Sequence, residues 1–170
     1  MKLAQFCNVA LENVIECKDL ETIYEVPLYL QKQDFDDVVL KELNLKSDKQ
    51  ADLKDWKNFL KKYKNPKKSI EIALVGKYVS LQDSYKSIAE SFIHAGADLE
   101  TDVKVRWVYS GEIDESNVAE TFAGIDGMLI APGFGDRGIE GKIEAAKYAR
   151  EKYLYSKDGE LIIKIIEENK

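Results

Sequence analysis

From residue 70 onward, compact apolar runs alternate with spaced apolar stripes. Ile70, Ile72, Ala73, Leu74 and Val75 form a nearly continuous run ending at Gly76, the pattern of a strand buried on both faces. Residues 84–97 carry Ile88, Ala89, Phe92 and Ile93 at helical spacing, with Asp83 as the expected N-cap. Val103, Val105, Trp107 and Val108 mark a second strand, and Ser116 is placed to open a short helix through Phe122. Asp126-Gly127 leads into Met128-Leu129-Ile130-Ala131, a third strand, and residues 139–152 read as a third helix. The order βαβαβα predicts an α/β fold, a parallel sheet flanked by helices. Right-handed crossovers then collect all strand C-terminal ends on one edge, where such sheets bind ligands. That edge should hold Gly76-Lys77-Tyr78, Tyr109-Ser110-Gly111-Glu112 and the loop 132–138.

The chain before residue 70 is patterned differently. Residues 1–43 are mixed: short elements at 9–14 and 20–24, then a helix over 35–43 with Asp34 as N-cap and a stripe of Val38, Val39, Leu40 and Leu43. Residues 44–69 read as a linker enclosing one amphipathic helix over 52–63, with Leu53, Trp56 and Leu60 on one face. Lys54, Lys57, Lys61, Lys62, Lys64, Lys67 and Lys68 make this a basic run, read as a solvated face, with a phosphate-facing surface as the alternative. The expected division is 1–43, 44–69, 70–152 and an unassigned tail, 153–170. Asp158-Gly159 in that tail suits a hairpin turn between two apolar runs, the second of which also suits a short helix.

Composition narrows the function classes. With 25 Lys+Arg against 31 Asp+Glu the net charge is −6, which argues against a broad basic face and against nucleic-acid binding. The apolar runs fall well short of the roughly 20 residues a membrane span needs. The segment Met1-Lys2-Leu3-Ala4-Gln5-Phe6-Cys7-Asn8 lacks the apolar core of a signal peptide, so a cytoplasmic protein with no membrane partner is expected. Two cysteines and one histidine make neither a disulfide framework nor a good zinc site. Cys7 and Cys17 lie outside any glycine-flanked strand-to-helix turn and read as buried structural thiols. His94, inside a helix, reads as a packing or helix-end residue, so spacing alone defines no nucleophile–base pair.

The segment Gly133-Phe134-Gly135-Asp136-Arg137-Gly138 has the form G-x-G-x-x-G between a strand and a helix, and Asp158 lies 20 residues past Gly138. Three readings stand. It is a dinucleotide fingerprint, although that motif belongs after the first strand of its unit and this one follows the third. It is a tight loop that needs glycine. Or it is a nest of backbone N–H groups at a helix N-terminus that stabilises an anion or oxyanion. Gly141-Lys142 lacks the spacing and the following Ser/Thr of a P-loop.

Several ordered stretches resemble the CTP synthase family. Phe6-Cys7-Asn8-Val9, Val14-Ile15 and Ile23-Tyr24-Glu25-Val26-Pro27-Leu28 are similar to the end of its synthetase (amidoligase) domain. Ile72-Ala73-Leu74-Val75-Gly76-Lys77-Tyr78-Val79 and Leu81-Gln82-Asp83-Ser84-Tyr85-Lys86-Ser87 resemble the first strand and helix of its glutaminase domain. His94-Ala95-Gly96, the stretch 126–135, Arg137-Gly138-Ile139-Glu140-Gly141-Lys142-Ile143 and residues 146–151 continue the match in order. The resemblance implies a flavodoxin-like class I glutaminase half-domain over 70–152, preceded by a synthetase remnant over 1–43. It implies the glutamine-dependent amination of UTP to CTP, with ATP and Mg²⁺ used in the synthetase domain and GTP as activator. Glutamine and GTP would be the small-molecule partners. By the same resemblance, the Gly133 backbone N–H would serve the glutamine oxyanion and Phe134 would pack on glutamine. Lys77, Tyr78, Arg137 and Glu140 would line the rim where GTP acts.

The departures from the family carry as much meaning. The strand bearing the nucleophilic cysteine should follow the third helix, and residues 153–170 do not resemble it. Nor do these residues contain the family's later His and Glu or its P-loop domain. The chain therefore reads as an internal slice with no catalytic residue and no cofactor of its own, expected to be inactive alone. An unpaired sheet edge would favour self-association or pairing with synthase subunits. The alternatives are a catalytically dead interaction module, a small dinucleotide-binding protein using residues 133–138, and a truncated product without function.

Overall fold

The computed structural model describes residues 2–47, 49, 51–133 and 135–153. They form two compact units, Met1–Asn65 and Pro66–Lys170.

The first unit is helical: α1 (Lys2–Cys7), α2 (Val26–Gln31), α3 (Phe35–Glu42) and α4 (Lys54–Lys64). Its best-packed part surrounds Tyr24, which is buried. Phe59 and Tyr63 meet the Tyr24 ring edge-on at 5.1 and 5.5 Å, an orientation aromatic quadrupoles favour. The Trp56 indole Nε1 donates to the Tyr24 carbonyl at 2.8 Å. The aromatic face of the amphipathic helix is thus a packing face. Of the lysine run, Lys64 pairs with Glu21 at 2.6 Å and with Glu25, while Lys54 lies 3.8 Å from Asp52.

Two expectations fail in this unit. Asp34 precedes α3 in the left-handed conformation (φ 53°), and its side chain makes no capping bond. In that conformation the residue ends the preceding turn, which its short polar side chain tolerates. Cys7 and Cys17 are exposed, not buried. Cys7 ends a one-and-a-half-turn helix whose buried residue is Ala4.

The second unit is the α/β layer expected from the pattern. β1 (Lys68–Gly76) pairs in parallel with β2 (Thr101–Tyr109) on one side and β3 (Gly127–Ile130) on the other, giving the order β2-β1-β3. The crossovers are α5 (Lys86–Asp98) and α6 (Val118–Thr121), and α7 (Ile139–Tyr153) follows β3. The central strand is buried on both faces because its alternate side chains enter two cores. Ala73 and Val75 join Val108, Ile113, Val118, Phe122, Ile125 and Ala145. Leu74 joins Tyr85 and Ala131 on the other face. A cross-strand ion pair closes the N-terminal half of the sheet. Arg106 Nη2 meets Glu71 at 2.5 Å, and its Nη1 donates at 3.0 Å to the carbonyls of Thr121 and Ala123 at the end of α6.

Helix starts differ from their expected caps. Asp83 lies in a 3-10 turn, Gln82–Tyr85, and α5 begins at Lys86 without a side-chain cap. The turn seats the Tyr85 hydroxyl at the end of β1, where it accepts from the Lys77 and Tyr78 N–H groups at 3.0 and 3.3 Å. α6 begins at Val118. Asp114 organises the turn before it, accepting from the Ser116 and Asn117 N–H groups at 2.8 and 3.2 Å. The strand–turn–strand reading of residues 153–170 lies outside the described residues.

Candidate functional site

The C-terminal ends of β1, β2 and β3 converge on one edge, where the loop after β3 meets the other two strand ends. Two contacts bind it to the β2 side. A Cβ on Gly138 would fall 2.5 Å from Ser110 Oγ, and one on Gly141 would fall 1.9 Å from the Ser110 carbonyl oxygen. Glycine at both positions lets the N-terminus of α7 lie directly on the Ser110–Gly111 backbone. Gly138 also adopts φ 73°, open to glycine at little cost.

Lysine side chains join the loop to β1 and to its own helix. Lys77 follows β1 and is 5% exposed; its Nζ donates to the Gly135 carbonyl. Lys142, in the first turn of α7, turns back so that its Nζ donates to the Ala131 carbonyl at 2.7 Å. Burial, and then the neighbouring Lys77 charge, hold the Lys142 ammonium below the ordinary lysine range. Gly133 lies over both side chains. A Cβ there would be 3.5 Å from Lys142 Nζ and 3.8 Å from Lys77 Cδ. On the outer surface, the Arg137 guanidinium stands 5.7 Å from the centroid of the Tyr78 ring, within cation–π range.

The residues singled out in the sequence thus fall into two groups. Lys77 and Gly133 meet at the base of the loop, and Tyr78 and Arg137 meet on its outside. Glu140 is exposed in the first turn of α7. Phe134 and Asp158 lie outside the described residues. His94 is exposed on α5. Ser110 lies on the edge expected from the sequence, whereas nothing in the sequence reading gave Lys142 or Tyr85 a part in the site. Gly141-Lys142 departs from a P-loop, yet a lysine in the first turn after a glycine loop is placed to reach back over it. A cavity of about 430 Å³ lies elsewhere, along β2 among Arg106, Trp107, Tyr109, Glu112, Asn117 and Thr121. The glycine loop, by contrast, gathers the Lys77 and Lys142 ammonium groups beneath an exposed glycine backbone.

This arrangement meets known families in order along the chain. Residues 1–45 match the family described as "CTP synthase N-terminus", and residues 80–154 match "Glutamine amidotransferase class-I". The chain carries a CTP synthase N-terminal segment followed by part of a class I glutamine amidotransferase domain. CTP synthase of Flavobacterium psychrophilum is 56% identical over 153 residues, 90% of this chain and 28% of that protein. CTP synthases of Cytophaga hutchinsonii and Caldanaerobacter subterraneus are 53% and 51% identical over the same share of each. The chain therefore spans about 28% of the length of these relatives. The G-x-G-x-x-G loop belongs to the amidotransferase stretch and follows β3 at the side of the sheet, not the central β1.

Among the described residues no helix is long and apolar enough to cross a membrane. Nor do three or more His, Cys, Asp or Glu side chains gather there as metal ligands.

Proposed function

We propose that this chain is the joining portion of a cytoplasmic, glutamine-dependent CTP synthase. It carries the oxyanion loop of the glutaminase half and does not hydrolyse glutamine by itself. The single observation that carries this reading is identity of 50–56% to CTP synthases over about 90% of the chain. The domain reading that goes with it is a synthetase remnant over 1–43, a connecting stretch over 44–69 and a glutaminase half-domain over 70–152.

Hydrolysis of the glutamine amide needs a thiolate to attack the carbonyl carbon, a base, and N–H donors for the oxyanion that forms. In this reading, Gly133 offers its N–H to that oxyanion. Its lack of a side chain keeps the approach clear, and Phe134 would pack against the substrate. The lysine ammonium groups beneath the loop favour negative charge above it. The Tyr78–Arg137 pair, with Glu140 in the first turn of α7, is the proposed GTP-responsive rim; Lys77, expected there from the resemblance, is buried beneath the loop instead. A hole alone stabilises a charge that nothing generates. Cys7 and Cys17 lie in the first unit, and neither follows a strand of the sheet.

ATP and Mg²⁺ would act in the synthetase half of the reaction. The described residues do not fit Mg²⁺, since they offer no gathered set of carboxylate ligands. Leu3, Phe6, Leu11 and Ile23 are exposed on the first unit, which supports pairing with synthase subunits or with a second copy.

The test is ammonia release from glutamine by the purified chain, with and without GTP. No release is expected. Release that is abolished by Gly133→Pro would overturn the proposed inactivity.

A further inference from the structure

We propose that Lys77 and Lys142 are positioning residues: two ammonium struts that fix the entry of the chain into the glycine loop and the direction in which its Gly135–Asp136 peptide unit faces. The inference rests on reading that loop as the oxyanion loop, and it deepens that reading.

The geometry is specific. Lys77 Nζ holds the carbonyl of Gly135, and Lys142 Nζ holds the carbonyl of Ala131 at 2.7 Å. The two anchored carbonyls flank Gly133 on either side in sequence. In a trans peptide the C=O and N–H point in opposite directions. A carbonyl drawn inward onto an ammonium therefore turns the N–H of the same unit outward. For the Gly135–Asp136 unit, that N–H belongs to Asp136. The Ala131–Pro132 unit has no N–H, so its anchor sets only the direction in which the chain enters Gly133.

A peptide unit beside a glycine, such as Gly135–Asp136, rotates more readily, because the glycine lacks the Cβ that restricts φ. An unanchored loop would be able to turn a carbonyl toward the substrate side, placing negative charge where an oxyanion must form. Two cations held from beneath oppose such movement, since it would draw the Gly135 carbonyl from Lys77 and the Ala131 carbonyl from Lys142.

Electrostatics also argue that the lysines have a task here. Lys142 stands in the first turn of a 15-residue helix, where a cation opposes the helix dipole. It shares this place with Lys77, a like charge whose residue is 5% exposed. Two lysines in so unfavourable a position are accounted for by strong acceptors, and the loop carbonyls are those acceptors. Gly133 completes the arrangement, since its missing Cβ leaves the surface above Lys142 Nζ and the Lys77 stem open.

The experiment is NMR on the full 170-residue chain, comparing wild type with Lys142→Met, Lys142→Arg and Lys77→Met. Lys142→Met keeps the length of the side chain and removes the donor. Expected are shifts of the Ala131 carbonyl ¹³C resonance and of the Gly133 and Gly135 amide ¹H and ¹⁵N resonances. Amide exchange in β1 and α7 should stay unchanged, and Lys142→Arg should restore the loop values. Lys77→Met should do the same at the Gly135 carbonyl. If it unfolds the second unit because Lys77 is buried, Lys142→Met still decides the matter. Unchanged loop amide and carbonyl shifts in a folded Lys142→Met would overturn the proposal. So would faster exchange spread evenly over the sheet, or failure of arginine to rescue. No glutamine enters this assay, so its outcome is independent of whether the chain releases ammonia.

Discussion

Replacing Gly141 by alanine tests how the loop and α7 are seated. On helix propensity alone, Gly→Ala inside a helix should stabilise by about 1 kcal/mol. The structure reverses the sign. The new Cβ would fall 1.9 Å from the Ser110 carbonyl oxygen and 3.1 Å from Ile113 Cβ, whereas ordinary contact begins near 3.4 Å. Neither contact is the far end of a flexible side chain, so α7 or the segment after β2 must withdraw by more than an ångström. Overpacking of this kind costs about 1–3 kcal/mol, and contact with backbone places it at the upper end. The net expectation is a loss of about 2 kcal/mol. Trp107 on β2 reports the second unit in a Trp56→Phe background, since these are the two tryptophans of the chain. With a urea dependence of roughly 1–3 kcal/mol/M for a small domain, the midpoint should fall by about 1 M. An unchanged or raised midpoint would refute the claim that α7 lies on the Ser110 backbone.

Four further outcomes are expected. Arg106 bonds hold the Glu71 carboxyl below its usual range, against the opposing effect of burial, and the Arg106 charge acts in the same direction as the bonds. A depressed folded-state pKa means stability that is present above the unfolded value, roughly 4.3, and lost as pH falls through the folded one. Urea midpoints at about pH 6 and about pH 3 should therefore diverge more in wild type than in Glu71→Gln, where Asp114 still contributes, and equal divergence in both would count against the pair. Trp56→Ala should remove the bond to the Tyr24 carbonyl and much of the aromatic packing, lowering the first unit's stability by about 2–3 kcal/mol; near-UV circular dichroism on denaturation checks it. Cys7 and Cys17 should both react with a thiol reagent in the native chain about as fast as in urea, and a protected thiol would contradict their exposure. Arg137→Ala should leave folding intact and expose Tyr78 further, seen as greater solvent perturbation of tyrosine absorbance.

Much of the second unit was legible in the sequence because its signals are local. The apolar run before Gly76, the stripe through Ile88, Phe92 and Ile93, and the run after Gly127 each meet one geometric need of a strand or a helix. Their order along the chain then selects a parallel sheet. The helix starts were less legible. Asp83 and Asp34 have the right chemistry for caps, yet Tyr85 takes the cap position of α5, and Asp34, which does stand at the start of α3, is left-handed and makes no capping bond. Local propensity did not include the tertiary bond that the Tyr85 hydroxyl makes to the end of β1. The cysteines misled for a similar reason: a small thiol is usually buried, but Cys7 ends a short helix that buries only Ala4.

By itself, the sequence determined the alternation of strand and helix, the edge on which the glycine loop lies and the kinship to CTP synthases. Each depends on periodicity or on order along the chain, which a one-dimensional string records. Only the tertiary structure decided that Lys142 reaches back to Ala131, that Lys77 lies beneath Gly135, and that Gly138 and Gly141 leave room for the Ser110 backbone. Lys77 and Lys142 are 65 residues apart in the sequence. Their meeting follows from the parallel pairing of β1 and β3, which brings two distant chain segments to one end of the sheet.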